Sequence, residues 1–83
     1  MRPVELTLYS RPGCHLCDEM KAIVAPVARE LGWIVKEIDI SGQPELESRF
    51  GQEIPVLFVG ERTAFKYRLT ESALRRRLRD RQE

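Results

Sequence analysis

With 83 residues, 42% of them hydrophobic, and 14 basic against 13 acidic side chains, the chain has a composition that excludes both disorder and a disulfide-knotted scaffold. A chain this short buries only somewhat more than ~60% of the surface it exposes when unfolded, so a single domain over residues 1–83 with one modest core is expected. No apolar run approaches the ~20 residues of a membrane span, and Met1-Arg2-Pro3 leads into a strand-like segment without the apolar stretch of a signal peptide; a soluble, cytoplasmic protein is the expectation.

The first strand is predicted over Val4–Tyr9, where strand formers alternate loosely with polar residues before the turn-forming Ser10-Arg11-Pro12-Gly13. From Cys14 the apolar positions Leu16, Met20, Ile23, Val24, Val27 and Leu31 trace one helical face, which Gly32 ends. Pro26 falls inside that helix and removes a backbone donor, so a kink or an early stop near Ala25 is expected. Trp33–Ile40 reads as a second strand. Pro44 suits the first turn of a short helix through Phe50, closed by Gly51. Ile54–Val59 is nearly continuous apolar sequence, the mark of a strand buried on both faces, and Gly60-Glu61-Arg62 turns into a fourth strand near Thr63–Lys66. Thr70 can cap a last helix to about Arg81 with Ala73, Leu74 and Leu78 inward. The order β-α-β-α-β-β-α specifies an α/β fold. Its first unit requires a parallel strand pair, its third and fourth strands form a hairpin, and a four-stranded mixed sheet with helices on both faces buries every apolar stripe.

Both cysteines lie in Arg11-Pro12-Gly13-Cys14-His15-Leu16-Cys17. In a reducing compartment such a pair points to redox or metal chemistry rather than to a structural bridge. A bridge closing about four residues would also stabilise the fold by only roughly 2 kcal/mol. With Cys14 as the first helical residue, helix geometry places the two Cα atoms roughly 5 Å apart, within disulfide range. Cys14 would then face unpaired N–H groups and the positive end of the helix dipole, which favour its thiolate, with Arg11 and His15 adding charge nearby. Cys17, one turn deeper, is suited to attack a mixed disulfide formed at Cys14. The chemistry makes Cys14 the nucleophile and Cys17 the resolving thiol. Forty residues on, Pro55 opens a strand that otherwise looks central, where proline is normally excluded, and a cis Ile54–Pro55 peptide would account for it.

These features together resemble the thioredoxin fold, and the short length resembles a glutaredoxin-like protein. The resemblance covers nearly the whole chain and is most specific in LYSRPGCHLC (residues 8 to 17) and EIPVLFVG (residues 53 to 60). It implies a thiol–disulfide oxidoreductase acting in electron transport and redox homeostasis, with no cofactor beyond its own redox-active disulfide. It also implies that Ile54, before cis-Pro55, offers its backbone to the sulfur-bearing substrate segment. Arg11 falls where glutaredoxins commonly carry a lysine that contacts glutathione. Three departures set this chain apart: His15-Leu16 replaces Pro-Tyr between the cysteines, Glu53-Ile54 replaces Thr-Val before the proline, and Phe65–Thr70 lacks the paired glycines that hold glutathione. They imply weak or absent glutathione binding, and Glu53, if close to Cys14, would oppose its thiolate.

The expected substrate is a disulfide-bearing protein or small molecule, and a reductase or low-molecular-weight thiol would recycle the expected monomer. Two other classes compete: a non-catalytic interaction module of the same fold, and an iron–sulfur protein sharing a cluster through Cys14 of two chains. A zinc site is disfavoured because Cys14, Cys17 and His15 are one ligand short and Cys14 and His15 are adjacent. From Arg62 through Gln82 stand eight basic and two acidic residues, yet a net charge of +1 and the preference of helix C-termini for cations argue against nucleic-acid binding.

Overall fold

A computed structural model describes residues 5–81 and shows seven elements in the expected order: β1 (Glu5–Ser10), α1 (His15–Leu31), β2 (Ile34–Asp39), α2 (Pro44–Phe50), β3 (Val56–Val59), β4 (Arg62–Lys66) and α3 (Glu71–Arg81). Val4, expected in the first strand, lies outside the described residues. The third strand starts two residues later than expected, at Val56; Ile54–Pro55, a cis peptide, stands before the ladder, to which Pro55 has no N–H to donate.

The strands form one mixed sheet in the order β2-β1-β3-β4. β1 runs parallel to β2, with Leu8 opposite Glu37, and antiparallel to β3, with Leu8 opposite Leu57. Strand periodicity then divides the apolar residues between two faces. Leu6, Leu8, Leu57 and Val59 pack with Met20, Val24 and Val27 of α1 and Leu74 and Leu78 of α3, closed by Trp33. On the opposite face Val56, Tyr9 and Phe58 pack with Ile40 and with Leu46 and Phe50 of α2. Tyr9 stacks on Phe50 at 4.5 Å between ring centroids and meets Phe58 edge-on at 5.4 Å. The near-continuous apolar run of β3 is thus explained by its central place, covered from both sides.

α1 continues through Pro26 to Leu31, so the early stop near Ala25 does not occur. Pro26 and Ala22, whose carbonyl loses its usual donor, are both on the exposed side, where water can satisfy the carbonyl, while Val24, Val27 and Ala28 hold the other side in the core. The helix ends at Gly32, whose left-handed φ of 76° lets its N–H close back on Ala28 and Arg29. α2 ends at Gly51, where a Cβ would collide with the Glu47 carbonyl. Thr70 caps α3, its hydroxyl accepting the Ala73 N–H at 3.2 Å.

α3 is fastened to α1 by Arg75, whose guanidinium donates to both carboxylate oxygens of Glu30 at 2.9 Å and to Glu71 at 2.9 Å. Two tests follow. Leu74 is fully buried in the core shared with α1, and Leu74→Ala should cost about 2–5 kcal/mol in chemical denaturation. Hydrogen bonding to Arg75 holds the Glu30 carboxyl below the usual carboxylate range. Its contribution is therefore present at neutral pH and lost as pH falls through that lowered value. Arg75→Met should lower the thermal midpoint slightly near neutrality, and the difference from wild type should shrink in acid and in high salt.

Candidate active site

β1 hands the chain to α1 through a tight turn in which Gly13 takes a left-handed φ of 80° and the Cys14 N–H donates to the Arg11 carbonyl at 3.2 Å. Cys14 is the N-cap of α1 rather than its first helical residue, with φ −86° and ψ 109°. This extended backbone turns its sulfur onto the helix end, where it accepts the Cys17 N–H at 3.1 Å, and its carbonyl accepts the Asp18 N–H at 3.1 Å. Cys14 and Cys17 are joined by a disulfide with their Cα atoms 5.2 Å apart. Cys14 is half-buried and Cys17 only 2% exposed. The two sulfurs thus differ in access although the helix brings them together.

The other expected site residues divide. Pro55 is buried at the entrance of β3; Tyr9 pairs with Val56, so Pro55 and Ser10 stand at the same end of the sheet, the end from which the Cys14 turn departs. The Ile54 N–H is committed to the Phe50 carbonyl at 3.1 Å, which removes it as a donor to a ligand. The side chain of His15 is 89% exposed and contacts Glu19, one turn along α1, at 3.2 Å. Arg11 reaches Glu47 of α2 at 3.1 Å. Glu53 pairs with Lys66 of β4 at 3.1 Å, so its charge is partly balanced within the hairpin end.

Two features had little signal in the sequence. A groove of about 430 Å³ lies between α1 and the segment before α3, lined by Leu16, Met20, Ile23, Tyr67, Arg68 and Leu69. Tyr67 forms one wall in the left-handed region, φ 68°, so that its N–H reaches the Pro55 carbonyl at 2.8 Å while its hydroxyl donates to the Gln52 carbonyl at 3.3 Å. The absence of glycine from Phe65–Thr70 was the one pointer to it. A smaller, polar cavity of about 250 Å³ is lined by Ser10, Arg11, Cys17, Asp18, Glu37 and Asp39. Ser10 is buried and donates to Glu37 at 3.0 Å, and Lys21 contacts the other Glu37 oxygen at 2.9 Å. The Lys21 hydrogen bond, more than that of Ser10, holds the Glu37 carboxyl below its usual range against a partial burial that pushes the other way.

This arrangement has counterparts among known proteins. A curated relative, a glutaredoxin-like protein of Dictyostelium discoideum, is 28% identical over 79 residues, which cover 88% of this chain and 73% of the relative. The solution structure of a protein from Nitrosomonas europaea is 28% identical and superimposes with a TM-score of 0.77 over 93% of each chain. A thioredoxin from Halobacterium salinarum, 23% identical, matches with a TM-score of 0.71 over 99% of this chain and 77% of its own, which establishes the thioredoxin-like fold. The model of the glutaredoxin-like domain (DUF836) matches residues 5–79, every element from β1 into α3, and the chain belongs to that family.

Proposed function

We propose that the chain is a thiol–disulfide oxidoreductase in which Cys14 attacks and Cys17 resolves. The observation that carries this reading is the difference between the two sulfurs of one disulfide: Cys14 caps a helix and is partly accessible, whereas Cys17 is buried one turn in. When the disulfide is reduced, the Cys17 N–H that meets the Cys14 sulfur and the positive end of α1 favour negative charge on Cys14. The Cys14 thiolate then attacks a substrate disulfide, giving a mixed disulfide and one released thiol. Cys17 displaces the second substrate thiol from Cys14 and restores the internal disulfide, so two electrons pass from the dithiol to the substrate.

The substrate is a disulfide-bearing polypeptide or small molecule held across the sheet end formed by Cys14 and Ile54–Pro55. With its N–H occupied by Phe50, Ile54 offers a substrate backbone its carbonyl. Arg11, His15 and Glu53 are each engaged by a partner, Glu47, Glu19 and Lys66, which leaves the head of α1 as the main support for the Cys14 thiolate. Glutathione is bound weakly or not at all, because Tyr67 and Arg68 stand where a glycine pair would open the segment before α3. A cytoplasmic reductase or low-molecular-weight thiol returns the protein to its dithiol form.

The groove walled by the half-exposed Tyr67 favours a second reading, a module that binds partners by shape and leaves its cysteines idle. Cysteine variants separate the two. Cys14→Ser should abolish reduction of insulin or of a model disulfide, and Cys17→Ser should accumulate a mixed disulfide visible by mass spectrometry; wild-type activity in both variants would sink the enzymatic reading. The wild-type protein should also show a reversible dithiol–disulfide couple between roughly −270 and −120 mV in a thiol redox buffer, the range spanned by working enzymes of this fold. Cysteines inert to glutathione and to a stronger oxidant alike would favour the binding module.

A further inference from the structure

The polar cavity beside Cys17 is not explained by substrate capture, since the accessible sulfur is Cys14. Its walls are unusual for a buried thiol. Cys17 shares it with three carboxylates, Asp18 of α1 and Glu37 and Asp39 of β2. The cations near it are already engaged, Arg11 with Glu47 of α2 and Lys21 of α1 with Glu37 itself. Asp39 accepts the Ser41 N–H at 2.8 Å. Glu37 alone of the three is tied to the buried end of β1, through Ser10 at 3.0 Å, so its charge is fixed in position at the strand end that leads to the cysteines.

We propose that the negative charge of Glu37, positioned by Ser10 and Lys21, keeps Cys17 protonated near neutral pH and so sets the pH at which Cys17 can close the disulfide. The inference rests on the resolving role given to Cys17 above. In the closing step the Cys17 thiol first loses its proton to solvent. Its thiolate then attacks the Cys14 sulfur of the mixed disulfide; the Cys14–Cys17 bond forms, the bond from Cys14 to the substrate sulfur breaks, and the substrate leaves as a thiolate that takes up a proton. The attacking species is the thiolate, so below the thiol's pKa the rate of closure follows the thiolate fraction. Burial and a nearby like charge both disfavour that thiolate. Glu37 is therefore a positioning residue that acts on Cys17 through its field. It favours a reduced protein in which Cys14 carries the charge and Cys17 the proton.

Removing a charge without changing shape tests this. In the Cys14→Ser protein, Cys17 is the one thiol, and its ionisation can be followed by thiolate ultraviolet absorbance against pH. Adding Glu37→Gln should move the midpoint down by about half a unit, roughly a threefold rise in thiolate fraction below the midpoint, a modest effect because Glu37 is partly solvated. Adding Lys21→Met instead, which leaves Glu37 unneutralised, should move it up. With Cys14 restored, rapid mixing of the reduced protein with an excess of an aromatic disulfide should release one coloured thiol on Cys14 attack and a second on ring closure. Only the pH profile of the second phase should shift with Glu37→Gln. An unmoved midpoint, or shifts of the same sign in both variants as a general loosening would give, overturns the inference. So does an upward shift with Glu37→Gln, which would make Glu37 a proton acceptor. Loss of the second phase in the wild type would instead overturn the resolving role, and the Cys14→Ser titrations would still decide the effect of Glu37.

Discussion

Two strands, β1 and β3, lie at the centre of the sheet with apolar residues on both faces, and the rest of the molecule is arranged to keep water from them. Leu8 and Leu57 face α1 and α3, whereas Tyr9 and Val56, their neighbours in sequence, face α2. Because the strands are only six and four residues long, each face has room for little more than two inward side chains per strand. The cover must therefore come close: α1 and α3 share one side and are held to each other by Arg75, while short α2 and the aromatic trio Tyr9, Phe50 and Phe58 close the other.

The same constraint makes the site. β1 and β3 are antiparallel neighbours, so the C-terminal end of one and the N-terminal end of the other fall together, and each meets its chain reversal there. On the β1 side the reversal is the Gly13 turn that delivers Cys14 to the head of α1. On the β3 side it is the cis Ile54–Pro55 peptide. Neither reversal can move without withdrawing a buried residue of a central strand, Ser10 in one case and Val56 in the other. The Cys14–Cys17 disulfide is therefore mounted at the end of the two central strands, although it stands at the edge of the fold.

Within that mount one helix turn separates two environments. Cys14 sits where the helix leaves N–H groups unpaired; Cys17 sits where the helix first enters the core. A three-residue spacing suffices because one turn both restores the disulfide distance and carries a side chain from the rim to the interior. The flanking hollows differ in kind. The groove along Leu16, Met20 and Leu69 is largely apolar, whereas the cavity that Cys17 shares with Ser10 and Glu37 is polar.

Much of this was legible in the chain itself. The unbroken apolar run of residues 54 to 59 announced a central strand, Pro55 within it announced the cis peptide, and the spacing of Cys14 and Cys17 announced a disulfide at a helix start, since each is a local rule of backbone geometry. Local rules also set the errors: they placed Cys14 in the helix instead of at its cap, and they allowed α1 to end at Pro26, which the core face of the same helix prevents. What only the tertiary structure decided are the long-range pairings of polar side chains. Glu37 meets Ser10 across 27 residues of sequence and Arg75 meets Glu30 across 45. Every surface position of a small, charge-balanced protein offers many such partners, and nothing in periodicity or spacing chooses among them. The packing of the two central strands does so, by fixing which strand end and which helix turn come to lie side by side.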